Sequence, residues 1–283
     1  MEIADLSTNP GLNDPVLPVE AGGDVLARNP VTGQVMLKAS WTAGTINVPL
    51  PLRLWNARAL ILNGLADPEV MAKVLAPREI QRVNENLQSD DKGRYAFVQL
   101  YGSDYGGTTL GPFKTVFTLT QVKPLEEGPK DVAYFMWWKY WGTSLVNKAF
   151  KEQHWGINPN HLAVVDTAYG GRLKAVRLIE RGSEALRLVW NSARFHDIVE
   201  IPQHLVFRTV ARRLTDNGEN EIEMDAISLK LSDSTGTLFP FDSQQGDEFK
   251  PSPSSEIGRD LKVIGFKPVG WQCMLNYGGV VKF

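Results

Sequence analysis

His154 and His161 lie seven residues apart and flank Trp155 in the run HWGINPNH. An imidazole titrates near neutral pH, so either one could act as a general acid or base. Metal binding is not expected here. Two histidines fall short of the three or more protein ligands a divalent site needs, and no HExxH pattern surrounds them. The same stretch, Val132 to Asp166, holds four of the eight tryptophans. Phe135, Trp137, Trp138, Tyr140, Trp141 and Trp155 could form a core or wall a site for a bulky apolar ligand. Trp137 and Trp138 are adjacent on a strand, so a regular strand sends them to opposite faces. Lys148 and Lys151 fall on the polar face of a helix and are expected to be solvated.

Other chemistries lack the residues they require. Cys273 is the only cysteine, which excludes an intramolecular disulfide and a Cys-rich zinc site, and its setting GWQCML predicts a buried, inert thiol. The run Tyr101 to Gly107 superficially suggests a phosphate loop. It lacks GxxxxGK[ST] and precedes a strand, so a flexible turn is expected. There is no Gly-x-Ser-x-Gly elbow for a serine hydrolase.

The elements that must position these residues are mostly strands. Lys114–Val122, Val132–Trp138, Leu162–Val165, Leu173–Ile179, Ala185–Trp190, Leu205–Leu214 and Ile222–Leu231 are rich in β-branched, aromatic or alternating residues, with turn signals between several of them. Final strands are expected near Leu261–Phe266 and Val269–Leu275. Asp67-Pro68 before EVMAKVL signals an N-capped helix, and a second helix is predicted from Thr143 or Ser144 to near Gln153, with Leu145, Val146, Ala149 and Phe150 on its apolar face. Residues 1–30 read as an irregular arm and 232–255 as a long loop or lid, within a single domain spanning 1–283. Composition is that of an ordinary soluble protein, with 43% hydrophobic residues, and a net charge of -2 argues against nucleic acid as a partner. The N-terminus shows no secretory pattern and no run is long enough to span a bilayer, so a cytoplasmic protein is the expectation.

The order Tyr134-Phe135-Met136-Trp137-Trp138, a helix from about Thr143, Lys151-Glu152, Trp155-Gly156, Pro159-Asn160-His161 and Leu162-Ala163 resembles the segment of the acetoacetate decarboxylase-like family that carries its reactive lysine. Asn56-Ala57-Arg58 before the DPEVMAKVLAP helix, and the Gly111-Pro112-Phe113 turn, are similar to further parts of that family. The resemblance covers about residues 53–190. It implies a mainly β (α+β) fold: an antiparallel β-barrel or cone of that type with a few short helices. It also places Arg58 where the family has an arginine that orients a carboxylate.

The lysine position reads Pro159, Asn160 and His161, so imine chemistry is not expected. The expected catalytic residues are His161, Asn160, Arg58 and His154. The expected substrate contacts are Trp137, Trp138, Tyr140, Trp155, Tyr101 and Phe113. The reading is a cofactor-independent enzyme that cyclises, isomerises or dehydrates a hydrophobic enolisable carbonyl or polyene. A non-catalytic small-molecule binder and a lysine-independent decarboxylase of a β-keto acid are the alternatives. A homo-oligomer is a further expectation, as family members commonly assemble.

Overall fold

The computed structural model describes side chains over residues 47–49, 52–75, 92–122, 135–152, 160–193 and 238–274, and backbone elements also at 27–28, 35–41, 44–46, 133–134, 153–155, 199–201, 204–215, 218–224, 228–230, 236–237 and 275–281. Residues 1–26 of the expected arm lie outside that set.

Long β-rich runs pair largely in chain order; β1 (Ala27–Arg28), β2 (Val35–Trp41) and β3 (Gly44–Pro49) form a small sheet of their own, β12 (Val199–Ile201) pairs the strand Gly236–Pro240, and β14 (Gly218–Met224) pairs the strand His204–Thr215. Strands β4 (Leu52–Ala66), β5 (Ala96–Thr108), β6 (Phe113–Val122) and β7 (Ala133–Gly142) form an antiparallel meander. β13 (His204–Thr215) joins β7 in parallel, β15 (Ser228–Lys230) pairs β13, and β18 (Lys267–Val281) pairs both β15 and β4. The pairings thus return on themselves, β4–β5–β6–β7–β13–β15–β18–β4. Antiparallel order was expected throughout; β7–β13 and the pairing of β7 with β8 (Asn160–Leu162) are parallel.

A second sheet of β9 (Val164–Ala168), β10 (Leu173–Glu180), β11 (Ser183–Asn191) and β17 (Glu248–Pro251) covers the outer face of the meander. It sits close at one point. A Cβ on Gly102 of β5 would lie 2.4 Å from Val176 of β10, and the Tyr169 hydroxyl donates to the Gly102 carbonyl at 2.7 Å.

Three α-helices are described. α1 (Pro68–Leu75) starts where Asp67 accepts from the Glu69 and Val70 amides at 2.9 and 3.0 Å, as its sequence predicts. α2 (Leu145–Trp155) lies against β2 (Val35–Trp41), β7, β8 and β13. α3 (Glu256–Val263) replaces the strand expected near Leu261–Phe266: Ser255 caps it through the Gly258 amide at 3.0 Å, and Ile257 and Leu261 are buried at helical spacing. The run Tyr101–Gly107, expected as a flexible turn, lies inside β5, paired to both neighbours. Segment 232–255, expected as a loop or lid, contains β16 (Gly236–Pro240) and β17. No described helix is long and apolar enough to cross a membrane.

Among the described residues two apolar cores result, one on each face of the meander. The outer one takes Leu60, Leu62, Leu100, Val116, Trp138, Trp141 and the second sheet. The inner one takes Leu54, Ala57, Ala59, Tyr101, Phe117, Tyr140 and Phe150 of α2.

Candidate active site

Two irregularities, a positive-φ residue in β4 and a bulge in β7, determine which side chains reach the inner face. In β4, Leu52 and Leu54 face inward at even positions, and Ala57, Ala59 and Ile61 at odd ones. The switch occurs at Asn56, which has φ 52° and stands between the Trp55–Gly107 and Ala57–Tyr105 pairs. Asparagine tolerates that left-handed backbone better than most residues. In β7 the register shifts as Trp138 is passed over: Lys139 pairs Thr118 and Trp137 pairs Leu119. Phe135, Trp137 and Tyr140 therefore belong to the inner side, and Trp138 is buried in the outer core.

The inner face opens into a cavity of about 500 Å³, counting its solvent-facing mouth, walled by Leu54, Tyr105, Phe113, Phe117 and Trp137 on the sheet and by Asn147 and Lys151 on α2. Its rim is a braced turn: the Thr108 hydroxyl donates to the Gly111 carbonyl at 2.7 Å, Gly111 takes φ 83°, and the Arg53 amide donates to the Thr109 hydroxyl at 2.8 Å. Deeper, Tyr101 stacks on Phe117 at 4.7 Å between ring centres, and Phe117 on Tyr140 at 5.9 Å.

Lys151 corrects the sequence reading. Expected on a solvated face, it is only 6% exposed, with its Nζ 3.7 Å from the centre of the Tyr140 ring and 5.8 Å from that of Trp137. Burial disfavours the charged form, so the ammonium titrates well below the ordinary lysine range. The aromatic faces still interact favourably with the cation that remains at lower pH. Tyr140 is held the opposite way: burial, with a smaller contribution from Tyr105, pushes its phenol well above the usual range and keeps it protonated. Its hydroxyl donates to Asn147 Oδ1 at 3.1 Å. Lys148, one turn away from the site, behaves as expected: it is partly exposed and paired with Glu152.

The other expected site residues scatter. Phe113 and Trp137 line the cavity, Tyr140 lies under Lys151, and Tyr101 backs the wall through Phe117. Trp138 does not reach the cavity: it alternates with inward-facing Trp137 and is buried in the outer core, as a regular strand requires. Arg58 is exposed and alternates with inward-facing Ala57 and Ala59, so it points away from the cavity. His161 stacks on Trp141 at 5.6 Å in the outer layer, with Nε2 3.6 Å from Glu256. Asn160 is buried and its amide donates to the Lys148 carbonyl at 3.3 Å, which ties β8 to α2. The side chains of His154 and Trp155 lie outside the described residues. Cys273 is partly exposed, and burial raises its thiol to about 11, against a nucleophilic role. Among the described residues no three His, Cys, Asp or Glu side chains gather as a metal site.

Sequence reasoning did not single out Asn147 and placed Lys151 on a solvated face. Their i, i+4 spacing was the available signal, because it stacks both on one helix face.

No protein-family model matches the sequence, and no curated protein does either. Solved structures do. The enduracididine biosynthesis enzyme MppR complexed with pyruvate superposes with a TM-score of 0.58 at 11% identity, over 92% of this chain and 96% of that one. Acetoacetate decarboxylase from Legionella pneumophila gives 0.53 at 13% identity, over 82% and 87%. An acetoacetate decarboxylase-like enzyme from Sphingomonas wittichii gives 0.53 at 12%, over 82% and 91%. Likeness at such low identity is likeness of fold, and the chain accordingly adopts the acetoacetate decarboxylase-like architecture.

Proposed function

We propose that the chain is an enzyme that condenses Lys151 with a hydrophobic enolisable carbonyl compound and uses the imine to isomerise or dehydrate it. The supporting observation is the buried Lys151 amine facing an aromatic cavity. A neutral amine attacks the carbonyl carbon, the C–N bond forms and water leaves. The protonated imine then draws electrons from the neighbouring C–H bond, so a proton departs to give an enamine. An enamine can reprotonate elsewhere or expel a β-hydroxyl. Non-imine chemistry was the expectation because the lysine position reads Pro159, Asn160 and His161 and because Lys151 was expected to be solvated; the buried Lys151 supplies an amine elsewhere in the same segment and supports the imine reading. The solved relative MppR is complexed with pyruvate, a carbonyl compound.

The test uses 4-phenylbutan-2-one as probe. With borohydride, the intact mass should rise by the reduced ketone, and peptide mapping should place it on Lys151. In deuterated water, proton NMR should show exchange next to the carbonyl with the wild type and none with Lys151→Met. An unmodified protein, or an adduct on another lysine, overturns the proposal and leaves a binding protein as the reading.

A further inference from the structure

Asn147 is 1% exposed and lines the cavity beside Lys151. Its two amide atoms differ in what they meet. Oδ1 accepts from the Tyr140 hydroxyl at 3.1 Å, which fixes the rotation of the amide, whereas Nδ2 is buried with no hydrogen-bond partner among the described residues. A buried donor left unsatisfied is costly, so a protein that keeps one at a cavity wall gains when a ligand oxygen fills it. The backbone brings this donor to the amine. Ser144 caps α2 by accepting from the Asn147 amide at 3.2 Å, and Asn147 and Lys151 follow at i, i+4 on the buried face. Tyr140 bridges them, bonded to Asn147 through its hydroxyl and lying under Lys151 with its ring.

We infer that Asn147 Nδ2 holds the substrate's carbonyl oxygen while Lys151 attacks. This rests on the imine reading of the same site. As the nitrogen lone pair bonds to the carbonyl carbon, the carbonyl π pair moves onto oxygen, where charge develops in a dry, aromatic setting. A preorganised donor there stabilises the transition state. The oxygen takes a proton as the nitrogen loses one, giving the carbinolamine, and leaves as water when the C=N bond forms. The Tyr140 phenol, held protonated, keeps Asn147 Oδ1 occupied and so keeps Nδ2 turned to the substrate. Asn147 also selects the substrate: one oxygen acceptor at the amine, with an apolar or aromatic remainder against Phe113, Phe117 and Trp137.

The experiment compares two reagents at Lys151, each located by peptide mass. 1-Phenylbutane-1,3-dione condenses with an amine through a carbinolamine to a stable vinylogous amide. 2,4-Dinitrofluorobenzene arylates the same amine by displacing fluoride, with no carbonyl oxygen to hold. In Asn147→Leu the diketone reaction should slow by at least about tenfold. Arylation should stay within about twofold of wild type. Asn147→Gln, which keeps the amide, should recover part of the diketone rate. Equal slowing of both reagents would mean that Asn147 only packs α2 and would overturn the inference. An unchanged diketone rate overturns it as well, with the imine reading intact. No diketone adduct on wild-type Lys151 overturns both.

Discussion

At the scale of single residues, the cavity depends on a lysine placed where its charge is disfavoured. Because burial lowers the folded-state pKa of Lys151, the unfolded chain binds the more protons between that pKa and the free-lysine value of about 10.4. Stability contributed by this group is therefore fully present above about pH 10.4 and is lost as pH falls toward the folded pKa. Lys151→Met, of similar length and apolar, should be more stable than wild type at neutral pH, and the difference should shrink as pH approaches about 10. Urea denaturation at several pH values measures this, and a less stable variant at neutral pH would count against a desolvated amine. The rate of diketone addition should rise with pH around a midpoint well below that of free lysine. A midpoint at the ordinary lysine value would show that the amine is solvated.

At the scale of elements, much of the strand pattern was legible because β-branched and aromatic runs separated by turn residues need no tertiary information to be read. The α1 helix was equally plain from Asp67 and Pro68. What escaped the sequence was parity. A bulge or a left-handed residue moves every following side chain to the other face, and neither Asn56 nor Trp138 announces such a switch in the sequence. α2 was legible in part: Ala149 and Phe150 are buried as their spacing predicts, yet Leu145 is exposed and Asn147 and Lys151 are buried, because the face turned to the cavity also carries polar groups. In the α3 region the short apolar run Leu261 to Phe266 resembles a strand, whereas the cap that starts the helix, Ser255, sits in a Ser- and Pro-rich stretch that resembles a loop. The positive-φ conformation of Asn56 can be tested directly. Asn56→Val places a β-branched residue at positive φ and should destabilise the protein by about 1–3 kcal/mol, while Asn56→Gly should cost little. Equal denaturation midpoints for the Val and Gly variants would remove the argument that this conformation sets the parity of β4.

At the scale of the whole molecule, one sheet separates two kinds of chemistry. The inner face holds the amine and the aromatic cavity. The outer face holds an ionic cluster in which Lys139 of β7 pairs with Glu256 and, at 3.0 Å, with Asp260, both on α3, while His161 approaches Glu256. Burial tends to raise the Glu256 carboxyl, but the hydrogen bond and charge of Lys139, with His161 and Arg259, outweigh it and leave the group below the usual carboxylate range. Glu256 also occupies the first turn of α3, where a negative charge suits the helix dipole. These contacts fasten α3 to the sheet and do not touch the cavity. Because the folded pKa is depressed, this stabilisation is present above the unfolded carboxylate value of about 4.3 and is lost as pH falls through the folded one. Glu256→Gln should therefore lower stability by about 1 kcal/mol at neutral pH, with the difference from wild type closing in acid. Proton exchange into 4-phenylbutan-2-one at neutral pH should be unchanged. Calorimetric melting across pH, run beside the exchange assay, separates the faces: a variant that melts normally but exchanges slowly would place the outer cluster in the chemistry and break the division of labour across the sheet.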